Sequence, residues 1–290
     1  MPTFFRPPKR LGLLTLVAAW LLAPLPPATA AGNPLNAPTT VWVLTHDHQL
    51  VQVAADSPSQ VRQRVAVHGL PAGDALVGID YRVARGVLYA LGRSGQLYTL
   101  DTATGRVQPV GPRPAAALTG TAFGFDFNPA ADRIRVVSDT GQNLRLHPDT
   151  GALAATDPTT HRAGPAGQAA DPVGLTAAAY TYNTRDASLT TNYAIVPSTG
   201  TLVLQGSREG TTPPVSPNTG QLFPVGPLHT GPLATAAFDI ADVSNRALAA
   251  LRVPDHHVTE LYQIHLDSGR ATRLGALPVT GAVRGLAIEP

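Results

Sequence analysis

Three aspartates, Asp80, Asp126 and Asp239, occupy the same place in three short segments: Gly78-Ile79-Asp80-Tyr81, Gly124-Phe125-Asp126-Phe127 and Ala237-Phe238-Asp239-Ile240. Carboxylates brought together from separate strands supply the hard oxygen donors that hold calcium. Beside such an ion they could also activate water, which would make a metal-assisted hydrolase of a lactonase-like or glycosidase-like kind. The structural alternative is that each carboxylate accepts backbone amides where one repeat meets the next. Strand alternation puts Phe125 and Phe127 on one face and Asp126 on the other, so the aspartates stand apart from the apolar packing face. The related segment Ala179-Tyr180-Thr181-Tyr182 carries Thr181 at this place, and the segment Gly285 to Glu289 carries Ala287. The candidate ligand-binding set is therefore Asp80, Asp126, Thr181 and Asp239. Asp80, Asp126 and Asp239 are the candidate metal ligands, with Ca2+ as the candidate ion.

Two other polar groups carry weaker signals. His46 and His48 sit two residues apart, and His256 and His257 are adjacent, both pairs in hairpin turns. Turns from neighbouring units could gather four imidazoles into a zinc or copper site, although long polar turns also simply tolerate histidine. Asn128, Asp132, Arg133, Arg135, Asp139, Asn143 and Arg145 surround one repeat. Turn chemistry accounts for Asp139, and Arg–Asp pairing within or between units accounts for Arg135 and Arg145. The Asp139 to Asn143 stretch lacks the twelve-residue calcium loop with its closing glutamate. Nucleophilic catalysis has no support: there is no cysteine and no Gly-x-Ser-x-Gly elbow.

The elements that must position these residues are short strands. Arg133 to Val137 and Asn143 to Leu146 form a hairpin around Asp139-Thr140-Gly141, after a strand that ends at Asn128-Pro129. The same hairpin recurs as Thr40 to Leu44 with Gln49 to Val53, and as Val87 to Leu91 with Gln96 to Leu100. Looser copies follow at Asn192 to Val196 with Thr201 to Gln205, and at Ala247 to Leu251 with Leu261 to Leu266. Each hairpin from the second onward has a short strand ahead of it; the first lacks one, and the chain ends with one that has no hairpin, Gly285 to Pro290. The segments starting at Gly78, Gly124, Ala179, Ala237 and Gly285 lie 46, 55, 58 and 48 residues apart. Units of this length with four strands each predict an all-β fold, a β-propeller of five four-stranded blades. The terminal strand would insert as the innermost strand of the first blade and close the ring, leaving no open ring edge. A two-sheet sandwich competes, but gives that terminal strand no reason to join the first unit. The stretches 156–172 and 206–220, rich in Gly, Pro and Thr, read as long surface loops.

Around this core the composition is restrictive. Arg6, Lys9 and Arg10 precede an apolar run from Leu11 to Leu22, and Ala28-Thr29-Ala30 follows with the small residues of a cleavage site. Residues 1–30 are thus expected to be a signal peptide, 31–39 a Pro/Asn-rich lead-in and 40–290 a single propeller domain. Export predicts a periplasmic or secreted protein with no membrane attachment after cleavage. The chain has 21 basic and 19 acidic residues, and loss of Arg6, Lys9 and Arg10 leaves 18 basic ones. A near-neutral protein lacks the positive field that draws nucleic acid. Lys9 is the only lysine, which excludes Schiff-base and P-loop lysine chemistry.

The run FGFDFNPAADRIRVVSDTGQNLRLHPDTG, Phe123 to Gly151, resembles the signature of a bacterial family called domain of unknown function 4394. The similarity extends over about residues 38 to 290. It implies an exported protein of propeller-like repeats, and no activity or catalytic residue comes with it. The expected role is binding or scaffolding outside the cytoplasm by a monomer, toward a small molecule or an extracytoplasmic protein.

Overall fold

The computed structural model describes residues 1–3, 39–112, 117–162 and 171–290. The expected signal peptide and lead-in fall almost wholly outside these residues, as does 163–170 of one long loop.

From Thr39 onward the chain folds into five mainly antiparallel sheets. The first contains β1 (Thr40–Thr45), β2 (Gln49–Ala54) and β3 (Ser57–Ala66). The second contains β4 (Leu76–Arg82), β5 (Val87–Gly92), β6 (Leu97–Leu100) and β7 (Val107–Pro109). The third contains β8 (Phe123–Asn128), β9 (Arg133–Ser138), β10 (Asn143–Leu146) and β11 (Leu153–Thr156). In the fourth, β12 (His161–Arg162) lies parallel to β16 (Gln221–Pro227), outside β13 (Ala177–Tyr180), β14 (Asn192–Val196) and β15 (Thr201–Gln205). The fifth contains β17 (Thr235–Ile240), β18 (Ala247–Arg252), β19 (Glu260–Ile264) and β20 (Ala271–Ala276). The last strand, β21 (Val283–Ile288), pairs antiparallel with β1, so the first sheet has the order β21-β1-β2-β3.

The innermost strands β21, β4, β8, β13 and β17 contact one another in that order and return to β21, which closes the ring. Apolar residues fill the spaces between blades. Trp42, Leu44 and Ala287 pack on Ile79, Tyr81 and Tyr98; Val77 and Tyr89 pack on Phe125 and Phe127. Burial of side chains of this size stabilises by about 1.5–3 kcal/mol each. The Phe125/Phe127 face is thus the packing face that alternation predicts, and Asp126 points away from it.

Small residues let the inner strands meet. Gly78, Gly124, Ala177, Ala237 and Gly285 stand two residues before the aspartate position or its equivalent. A Cβ on Gly78 would lie 2.6 Å from Phe125 Cβ, one on Gly124 2.7 Å from Ala178 N, and one on Gly285 2.8 Å from Ile79 N. Those close approaches match residues at equal height, so the five inner strands run the same way around a pinched waist. The waist divides the axis into two ends.

Candidate functional site

At the C-terminal ends of the inner strands, Asp80, Asp126 and Asp239 converge. One carboxylate oxygen from each lies within 4.8 Å of the others, and the three residues are only 4–6% exposed. Asp80 Oδ1 accepts from Tyr81 N (2.7 Å) and Asp80 Oδ2 from Phe127 N (2.7 Å) on the next blade. Asp126 Oδ2 accepts from Tyr180 N (2.9 Å), again on the next blade. Asp239 Oδ1 accepts from Ile240 N and Oδ2 from Ile288 N, each at 2.6 Å. Each carboxylate therefore joins its own inner strand to the following one, and Asp239 fastens the strand that closes the ring.

Enclosing three carboxyls together has an electrostatic consequence. Burial, then repulsion from Asp239, pushes the Asp80 carboxyl well above the usual range; burial, then repulsion from Asp80, does the same for Asp126. Burial pushes Asp239 up to about 7 against the favourable amide bonds from Ile288 and Ile240. Asp242, in the turn after β17, is pushed by burial to about 6, and its charge bears on the other three. It stands three residues beyond Asp239 with no counterpart in the other repeats, so the repeat pattern holds no signal for it.

Thr181 does not occupy the aspartate position. Asp80 bonds the amide one residue past Asp126, and Asp239 bonds the amide one past Ala287. Asp126 bonds Tyr180 N, which makes Ala179 the equivalent residue in the fourth blade. Thr181 lies beyond the end of β13, where its hydroxyl accepts from Thr191 N (2.9 Å) within its own blade. A shift of two residues keeps a side chain on the same face of a strand, so alternation cannot detect it. At this junction Asn245 substitutes from the fifth blade: its side-chain amide accepts from Tyr182 N (2.9 Å) and donates to Tyr182 O (2.8 Å).

The polar set around the third blade is a structural network. Arg135 is buried and donates to Tyr180 Oη, Asn143 Oδ1, Asp157 Oδ2 and Asn218 Oδ1. Arg145 binds both oxygens of Asp157 at 2.9 Å. Asn218 belongs to the stretch 206–220, so this stretch is pinned to the ring. Asp139 accepts from Thr121 N and Oγ1, while Asp132 pairs with Arg82 across the second and third blades. His46, His48, His256 and His257 form no metal-ligating group; among the described residues the only group of three or more such ligands is the aspartate trio.

A closed ring of five radial sheets whose last strand completes the first is a five-bladed β-propeller. The chain belongs to the family described as Domain of unknown function (DUF4394), which matches residues 49–287. No curated protein matches it. Among solved structures it is similar to hydrazine synthase from Kuenenia stuttgartiensis (10% identity, 73% of this chain and 51% of that chain, TM-score 0.41). It is also similar to a chain of the nidogen/laminin complex (9% identity, 87% and 98% covered, TM-score 0.48). A putative 6-phosphogluconolactonase from Bacteroides uniformis is similar as well (12% identity, 84% of each chain, TM-score 0.43). The chain spans about half the length of the hydrazine synthase chain. Likenesses this distant concern the fold and say nothing of activity.

Proposed function

We propose that this propeller is an exported binding or scaffold module that works as a monomer in the periplasm or outside the cell. The observation that supports a scaffold most directly is that all three axial carboxylates serve to join neighbouring blades. Beside them the small residues of the waist bring the inner strands into close contact, which suits a structural role for this part of the ring. Export rests on the basic, apolar and small-residue segments of residues 1–30. The near-neutral charge after cleavage supports a small molecule or another extracytoplasmic protein as the partner, rather than nucleic acid or a membrane surface. Cell fractionation with N-terminal sequencing tests export: a mature chain starting near Ala31 supports it, and full-length protein in the cytoplasm overturns it.

One observation favours a second reading, a metal-assisted hydrolase built on Asp80, Asp126 and Asp239. Oxygens within 4.8 Å of one another fit around a cation with ligands at about 2.3–2.6 Å. Among the described residues nothing donates to Asp126 Oδ1, and the engaged oxygens keep further lone pairs, so the donor set is compatible with calcium. Elemental analysis and melting with calcium or chelator separate the readings. Bound metal with lactone hydrolysis that Asp126→Asn abolishes would replace the scaffold; no metal and an unmoved melting temperature would leave it standing.

A further inference from the structure

The opposite end of the axis has the reverse character. Here Phe123, Thr176, Arg284 and the small residues of the waist line a cavity of about 10 Å³, the room of one water-sized group. Thr176 is 6% exposed and aims into this cavity, yet its Oγ1 has no hydrogen-bond partner. Arg284 Nε is likewise buried and without a partner. Outside the cavity lining, Thr235 faces Arg252 across β17 and β18; Thr235 Oγ1 and Arg252 Nε are also buried and unpartnered, while Arg252 Nη1 donates to His256 O (3.5 Å). Four orphaned donors at one end of one ring form an unusual concentration, since buried polar groups are nearly always paired.

The charge is unpaired too. Among the described residues neither Arg284 nor Arg252 is in an ion pair. Two carboxylates act on His48 together with Arg284, and both hold hydrogen bonds: Asp74 accepts from Ser94 N and Oγ and from Tyr98 Oη, and Asp47 from Thr45 Oγ1. Burial, then the Arg284 charge, holds the His48 imidazole below its usual range, so His48 adds no charge that would disfavour Arg284 near neutral pH. The acidic trio is remote: Arg284 and Ile288 are four residues apart on β21, roughly 13 Å along an extended strand.

We propose that this end of the ring is a carboxylate-binding mouth, in which Arg284 and Thr176 hold one carboxylate of a small organic acid. A planar carboxylate matches the guanidinium fork and accepts from a hydroxyl at the same time. The cavity admits one carboxylate oxygen, and the rest of the acid stays outside the ring. This deepens the binding reading above and rests on it.

Calorimetric titration with acetate and succinate, and with sulfate at matched ionic strength, is the test. Succinate is expected to bind the whole protein, with affinity about tenfold weaker in Arg284→Gln and several-fold weaker in Thr176→Val. Thr176→Val preserves shape and carries the test alone if Arg284→Gln fails to fold. Silent carboxylate titrations, binding of sulfate only, or affinities within about twofold of wild type in both variants would overturn the mouth. Those results leave export and the aspartate staples untouched. Metal-dependent hydrolysis at the aspartates would overturn the parent reading without touching succinate binding.

Discussion

The two ends of the axis contain similar numbers of buried polar groups but use them differently. At the aspartate end each carboxylate of the trio accepts an amide from the adjoining strand, so its polarity helps to hold the ring. At the arginine end the hydroxyls of Thr176 and Thr235 and the Nε groups of Arg252 and Arg284 have no hydrogen-bond partner. A polar group engaged by the fold stabilises it, whereas one left idle costs stability and has capacity for something else. Polarity near a propeller axis is therefore ambiguous until its partners are known.

The largest expected effect comes from breaching the waist that keeps the ends apart. Gly124→Val forces atoms against Ala178 N and Val137 Cγ2, which lie only 2.7 and 2.8 Å from where the new Cβ must sit. A loss of roughly 5 kcal/mol is expected in urea denaturation, because backbone as well as side chain stands in the way. Next comes pH. A carboxyl whose folded pKa is raised binds its proton more tightly in the folded state, so its contribution is present at low pH and lost as pH rises through the folded value. For Asp239, raised from 3.8 to about 7, the stability difference between pH 4 and pH 8 is on the order of 4 kcal/mol. Chelator-treated protein should melt lower at pH 8 than at pH 5, and Asp239→Asn should flatten that slope.

The acidic end is sharpened further by Asp239→Ala, which strands the amides of Ile240 and Ile288. A cost of about 2 kcal/mol is expected, because relief of carboxylate crowding offsets part of the lost hydrogen bonding. At the other end Thr176→Val removes a hydroxyl that bonds to nothing. Its stability should stay within about 0.5 kcal/mol of wild type or rise slightly. An equal loss from these two substitutions would erase the contrast between the ends.

Much of this is legible in the chain. Hairpins with matched turns, such as Val87 to Leu100 beside Thr40 to Val53, define the blades because period-two alternation and turn residues are local signals. The terminal strand without a hairpin reveals ring closure by simple accounting. The common position of Asp80, Asp126 and Asp239 is visible for the same reason. Ala179 is not, because β13 is the four residues Ala177–Tyr180 and sliding it by two preserves its facing pattern. The role of Asn245 is hidden because its partner, Tyr182, lies on another blade. The idle donors of Thr176 and Arg284 are equally invisible, since lacking a partner depends on every neighbour in space rather than on any spacing along the chain.

The pairing of β21 with β1 also sets an order of events. A polypeptide emerges from synthesis amino end first, so the blade that starts earliest is completed last. Until Val283–Ile288 arrives, β1 offers a bare edge able to recruit any passing extended segment. Maturation of the circle must therefore await emergence of Val283–Ile288, and a helper that shields β1 in the interval would raise the yield of folded molecules.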